Sequence, residues 1–250
     1  RILHQKFKAG LFEAIPVSSG QEDVGSSEHR VLARSAVAAS AVLLKNEKSL
    51  LPLSKNSAPI LIAGSGADNV GRQSGAWTIE WQGVDGNWMP GVTSILKGLR
   101  EVAGTTPFEY EKNANFKPGT RAGVAIAVVS EKPYAEGFGD NPKPGLDKAD
   151  LEVIERLQAI SDNVIIIVIS GRPLLISEQI RKADAVVAAW LPGSEGAGLA
   201  DVLFGNQPFS AKLPLPWPAS LSQVPISFGG RTNDGSQPLF YRGFGLSTSL

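Results

Sequence analysis

Three uninterrupted apolar runs mark the chain: Val124-Ala-Ile-Ala-Val-Val129, Val164-Ile-Ile-Ile-Val-Ile169 and Ala185-Val-Val-Ala-Ala-Trp-Leu191. They leave no polar face for water, so they read as strands buried on both sides, as in a parallel sheet. Pro59-Ile-Leu-Ile-Ala63 is a shorter strand of this kind, and Phe108-Glu-Tyr-Glu a short alternating one. Between them apolar residues recur at helical spacing. From Ser27 the pattern runs through Val31, Leu32, Ser35, Ala36, Ala39, Val42 and Leu43, predicting a helix buried on one face. A polar turn and a short apolar arm follow over Lys45 to Leu53. Val92, Ile95, Leu96, Leu99 and Val102 share one helical face, and Asp147 suits the N-cap of a helix carrying Leu151, Val153, Ile154, Leu157 and Ile160. Pro173 suits the start of another helix running to about Lys182, and Pro192 to Gly198 leads into one ending near Phe204-Gly205.

Strand, glycine-marked turn and helix thus recur at least four times without tandem repeats. The prediction is a doubly wound α/β domain with a mostly parallel sheet between helices. Residues 1 to 27 carry scattered apolar anchors (Leu3, Phe7, Leu11, Phe12) and then a polar stretch, and read as a linker or anchor segment, with the α/β domain over 28 to 250. The tail from Lys212-Leu-Pro-Leu-Pro-Trp217 to Tyr241-Arg-Gly-Phe-Gly245 is too rich in proline for a central element and is expected to wrap the outside.

Loops at the carboxyl ends of parallel strands are where such sheets place ligands. Here they hold Ser65 and Asp68, Glu131 to Asp140, Ser170 and Arg172, and Ser194 and Glu195. The loop Glu131-Lys-Pro-Tyr-Ala-Glu-Gly-Phe-Gly-Asp140 packs three carboxylates and two aromatics behind an apolar strand, and Glu136, with apolar and aromatic neighbours, is the candidate general acid/base. Glu131 and Asp140 are expected to orient the loop, and Arg172 and Glu195 to brace loops or form an ion pair. Trp77, Trp81 and Trp88, three of the five tryptophans, fall within twelve positions. The spacing leaves open a carbohydrate platform, with Thr78, Glu80 and Gln82 meeting hydroxyls, or a hydrophobic plug at a domain contact. Gly64-Ser-Gly66 superficially resembles a dinucleotide fingerprint, but Asn69 stands where the third glycine belongs, and a strand-exit turn is the better reading.

Composition narrows the chemistry. Lys+Arg and Asp+Glu are both 24, so no basic nucleic-acid footprint shows. No segment approaches the ~18 consecutive apolar residues of a membrane span, so no membrane partner is expected. There is no cysteine, and the two histidines, His4 and His29, lack ligand spacing, so neither metal nor cofactor is expected and nucleophilic Ser-His or Cys-His chemistry is poorly supported. Carboxylate chemistry remains. The chain opens Arg1-Ile-Leu-His4 without Met and is expected to be a processed product or a part of something longer. A secreted or periplasmic location is expected, although cysteine usage leaves the compartment undetermined.

Several motifs in order carry a resemblance that covers nearly the whole chain: Lys6-Phe7 with Gly10-Leu-Phe-Glu13, Ala41-Val-Leu-Leu-Lys-Asn46, Gly75-Ala-Trp-Thr-Ile-Glu-Trp-Gln-Gly83, Glu131-Lys-Pro-Tyr-Ala-Glu136, Ser170-Gly-Arg-Pro173 and Ala188-Ala-Trp-Leu-Pro-Gly-Ser-Glu-Gly196. The sequence resembles the second domain of glycoside hydrolase family 3, of the β-glucan exohydrolase and β-glucosidase type. The resemblance implies a six-stranded α/β sandwich set against an N-terminal (β/α)8 barrel, with the site in the cleft between them. It implies a retaining mechanism whose nucleophilic Asp comes from the barrel, absent here, and whose acid/base is Glu136. Trp81 and Trp77 match tryptophans on the leaving-group side of the sugar pocket. The expected partners are thus a β-glucoside or β-gluco-oligosaccharide and the barrel, without which the chain is inactive. A noncatalytic carbohydrate-binding or structural module is the alternative.

Overall fold

The computed structural model describes residues 1–13, 23–227 and 229–249. They fall into two compact units, Arg1–Leu32 and Ala33–Leu250. The first contains helix α1 (Ile2–Lys8), where sequence reading expects a linker with apolar anchors. Its Ile2, Leu3, Phe7, Leu11 and Phe12 are exposed, and the rings of Phe7 and Phe12 lie 4.6 Å apart. The polar stretch expected after them falls mostly on 14–22, outside the described residues.

The second unit is built on one six-stranded sheet: β1 (Val42–Asn46), β2 (Ile60–Ala63), β3 (Phe108–Tyr110), β4 (Ala122–Ser130), β5 (Ser161–Ile169) and β6 (Ala185–Trp190). The order is β1-β6-β5-β4-β2-β3, with β1 antiparallel to β6 and every other pair parallel. Side chains alternate between two cores, as the period of two demands. Ile165, Ile167 and Ile169 face one, while Val164, Ile166 and Val168 face the other. The first core is covered by α2 (Ser27–Ser40), α4 (Ile95–Val102) and α7 (Ala197–Leu203), the second by α5 (Lys148–Ile160), α6 (Ser177–Lys182) and part of the tail. The short α3 (Val70–Ser74) follows β2. Each fully buried Ile or Leu contributes about 1.5–3 kcal/mol, so these two layers hold the sheet together. Where α4 meets α7, a Cβ on Gly98 would lie 2.5 Å from Cα of Ala197, so only glycine permits the approach.

Three expectations need correction. The helix from Ser27 stops at Ser40, and Val42 and Leu43 belong to β1. The helix buries Val37 and Ala38, while Val31, Leu32, Ser35, Ala36 and Ala39 are exposed. Two stripes of this alanine-rich helix fit a 3.6 period, and the one through Val37 and Ala38 faces inward because the Arg34 carbonyl and Val37 seat against Gly198 of α7. Pro173 does not open a helix: α6 begins at Ser177. The tail crosses the surface but also enters the core, with Trp217 fully buried and its indole N–H donating to the Leu174 carbonyl at 2.8 Å.

Candidate active site

The chain leaves β2 outward to β3, returns to β4, and continues through β5 and β6 on the other side, so the winding reverses between the carboxyl ends of β2 and β4. Such a crevice is the usual ligand position in an open sheet. Side chains close this one from below. Asp150, buried in the first turn of α5, accepts the backbone N–H groups of Ser65 and Ser130, both at 3.0 Å, and the Ser65 hydroxyl at 2.5 Å. The two serine hydroxyls are 2.7 Å apart. Buried Arg72 donates to the Ser130 hydroxyl at 3.1 Å and, through Nε and Nη2, to both oxygens of Asp85 at 2.9 Å. The turn after β2 is not free to cradle a phosphate: Gly64 N–H donates to the Lys112 carbonyl and Gly66 N–H to that of Val128.

The Arg72 guanidinium and the Asn69 amide hold the Asp85 carboxyl down to about 2 from 3.8, against burial, which pushes it up. A lowered pKa stabilises the fold fully above the unfolded value and is lost as pH falls from about 4 through 2. Asp85 is 48% exposed and solvent screens the pair, so this is worth on the order of 1 kcal/mol. Asp85→Asn is expected to flatten the stability-versus-pH curve over that window by this amount, measured by urea unfolding at pH 5 and pH 2.5 against wild type.

One layer above, two loops meet. In the first, Glu131 is spent on structure: Arg172 Nε and Nη2 donate to its Oε1 at 3.0 and 2.7 Å, and its side chain is 9% exposed. Arg172 also donates to the Gly139 carbonyl at 2.6 Å, and its guanidinium lies 4.3 Å from the centre of the Tyr134 ring. Burial, then the Glu131 charge, pushes the Tyr134 phenol up. Arg172 thus pairs with Glu131, not Glu195, which is buried beside Ser194 at the end of β6. Glu136, by contrast, is exposed and opens a single 3₁₀ turn, Glu136–Gly139, with φ 45°. A left-handed glutamate costs energy that its surroundings must supply, a condition common where a side chain is presented for use.

The second loop, 75 to 83, is also unusual in its backbone, with Trp77 at φ 58° and Ile79 at φ 66°. Trp77 N–H donates to the Trp81 carbonyl at 3.1 Å, folding the loop back so that the two indoles lie 6.4 Å apart. Phe138 meets Trp81 edge-on at 5.7 Å. Trp77 is 72% and Phe138 76% exposed, and with Ile79 and Trp81 they form an open apolar surface. The Trp81 indole N–H donates to Oε2 of Glu136. The fold therefore brings Glu136, Trp81 and Trp77 together, at the carboxyl edge of the sheet.

Other candidates are placed differently. Trp88 is bonded to the Asp85 carbonyl at 2.8 Å and is not stacked with the other two. Gln82 faces the protein, where the backbone of Ala135 takes both ends of its amide. The Thr78 hydroxyl reaches the Ser74 and Ala76 carbonyls at 3.4 and 3.5 Å. Phe138 was readable as an aromatic between two glycines; nothing local in the sequence marks Arg72 and Asp150 as partners of this edge.

Comparison with known proteins agrees with this architecture. A periplasmic beta-glucosidase of Salmonella typhimurium is 27% identical over 98% of this chain, and a lysosomal beta glucosidase of Dictyostelium discoideum 29% identical over 99%. The chain spans 39% and 33% of those relatives, roughly a third of their length. Among solved structures, the exo-1,3/1,4-beta-glucanase of a Pseudoalteromonas species is 37% identical with a TM-score of 0.86, over 98% of this chain and 32% of that one. The beta-glucosidase of Listeria innocua in complex with gluconolactone is 27% identical, with a TM-score of 0.82 over 99% of this chain and 38% of that one. The family model for the glycosyl hydrolase family 3 C-terminal domain matches residues 41–248, and the chain belongs to that family.

Proposed function

We propose that this chain is the acid/base half of a retaining, exo-acting β-glucosidase or β-glucan glucohydrolase. Glu136 donates the proton to the departing glycosidic oxygen, and then, as carboxylate, takes one from water. Trp81 and, more distantly, Trp77 receive the leaving-group sugar on their exposed faces. A (β/α)8 barrel N-terminal to this chain supplies the nucleophilic carboxylate and most contacts to the nonreducing glucosyl unit, and residues 1 to 27 are the connection to it. Without that barrel the chain is inactive. Relatives named as lysosomal and periplasmic support a secreted or periplasmic setting.

The observation that carries this reading is the contact between the Trp81 indole and an exposed, left-handed Glu136. An indole N–H only donates, so Oε2 serves as acceptor in both protonation states, which leaves Oε1 for the proton in flight. Glu131, held by Arg172, has no such freedom. Retaining chemistry needs a second carboxyl about 5–5.5 Å from the acid, and the length of the relatives leaves room for a domain to provide it. The test is Glu136→Gln in the full-length enzyme, assayed on poor and activated leaving groups; equal loss on both sinks the assignment.

Trp81→Ala is expected to cost about 0.5–1.5 kcal/mol of leaving-group affinity, raising KM for gluco-disaccharides up to about tenfold, with a smaller effect for Trp77→Ala. A KM that stays at the wild-type value in both variants would remove the platform role. The exposure of Trp77 also favours a second reading, a noncatalytic carbohydrate-binding module. Titration of the isolated chain with gluco-oligosaccharides separates the two: submillimolar binding supports the module, and no binding the shared cleft.

A further inference from the structure

We propose that Gln82 is a positioning residue for Glu136, its carboxamide holding the peptide from which the acid/base projects. The proposal rests on the assignment of Glu136 as proton donor. Ala135 N–H donates to Gln82 Oε1 at 2.9 Å, and Gln82 Nε2 donates to the Ala135 carbonyl at 3.2 Å. One side chain thus binds both polar groups of the residue before Glu136, as a neighbouring strand would. Among the described residues, no other group outside the loop bonds the backbone from Lys132 to Phe138; Glu131 N–H is held by the Ile169 carbonyl and the Gly139 carbonyl by Arg172. The amide clamp is the hydrogen-bonded support between those two ends.

Glu136 needs such support because its left-handed backbone persists only if the surroundings over-determine it. The clamp is itself anchored. Gly83, at φ 77°, lies so close to Pro133 of the other loop and to the start of its own that a Cβ there would sit 2.6 Å from Cβ of Pro133 and from the Gly75 carbonyl oxygen. Trp81, on the other side of Gln82, donates to the Glu136 carboxylate. Residues 81 and 82 therefore act on the same glutamate twice, Trp81 on its carboxylate and Gln82 on the backbone of the residue before it. The bidentate pairing requires an amide of this length: a carboxylate cannot donate to the Ala135 carbonyl, and asparagine is one methylene short.

The experiment compares Gln82→Ala, Gln82→Glu and Glu136→Gln in the full-length enzyme, with a gluco-disaccharide and an activated aryl glucoside as substrates. A misplaced proton donor costs on the order of tenfold to a hundredfold on the poor leaving group, which needs the proton, and within about threefold in kcat/KM on the activated one. The activated substrate also reports the folded, competent fraction, so the selectivity between the two substrates reads the folded molecules whatever fraction of a variant folds. Gln82→Ala added to Glu136→Gln is expected to produce no further leaving-group selectivity, because there is no longer a proton donor to place. Equal losses on both substrates, no loss on either, or additive selectivity in the double variant would overturn the proposal. If Glu136→Gln is selective and the Gln82 variants are not, only the positioning role fails; if Glu136→Gln itself lacks selectivity, the acid/base assignment and the positioning role fail together.

Discussion

Glu136→Gln in the full-length enzyme is expected to lower kcat/KM for glucosides with poor leaving groups by about 10²- to 10⁴-fold, while activated aryl glucosides lose less than about tenfold. Glutamine keeps the size of the side chain and an oxygen to accept the Trp81 indole N–H, so the local packing is retained while the transferable proton is gone. An aryloxide of low basicity leaves without that proton; a sugar alkoxide does not. The second half of the reaction also loses its base, so the glucosyl intermediate is expected to accumulate with activated substrates. Azide, an anionic nucleophile that needs no deprotonation, should then restore turnover and give β-glucosyl azide, detectable by mass. Equal loss on both substrate types, or no response to azide, would move the acid/base role elsewhere.

Asp150→Ala is expected to destabilise the domain by about 3–5 kcal/mol, the range for emptying a buried polar network. The carboxylate, buried like Ser130, satisfies the N–H groups of Ser65 and Ser130 at the ends of β2 and β4, together with the hydroxyl of half-buried Ser65. Its place in the first turn of α5 also sets a negative charge near a helix N-terminus, where the peptide dipoles favour it. Removing it leaves several donors without acceptors at the point where the winding reverses. Asp150→Asn keeps one acceptor but turns an NH₂ toward a donor, so it is expected to lose less than Asp150→Ala and still more than about 1 kcal/mol. Urea unfolding monitored by tryptophan fluorescence gives the order. A cost below about 1 kcal/mol for Asp150→Ala would mean that water or repacking replaces the carboxylate. Since Ser130 leads directly into Glu131 and the loop that carries Glu136, the same variants are expected to lose activity on poor leaving groups if Glu136 is the proton donor.

What could be read in advance follows the range of the interactions. The runs at 124–129, 164–169 and 185–191 are legible because a strand covered on both faces must be apolar throughout. The edge strand β1 is not. Its Val42-Leu43-Leu44 continues the helical period of the preceding residues, and Lys45 and Asn46 look like a turn, so its pairing with β6 is invisible until the sheet exists. The inward stripe of α2 was chosen by the close seat at Gly198 of α7, far along the chain, and local periodicity carries no record of it.

The candidate site divides in the same way. By itself, the sequence determined that a carboxylate-rich loop follows a buried strand, that two tryptophans stand four positions apart in another loop, and that no histidine or cysteine chemistry competes. Which carboxylate is free was a tertiary decision: Arg172 arrives from the end of β5 to neutralise Glu131, while Glu136 is left open under the Trp81 indole. So was the task of Gln82, whose amide was spent on the Ala135 backbone rather than on a sugar. Hydrophobic period is a property of neighbours along the chain and survives in the sequence. Hydrogen bonds and ion pairs between residues tens of positions apart depend on distances and angles that exist only once the sheet has brought its carboxyl ends together.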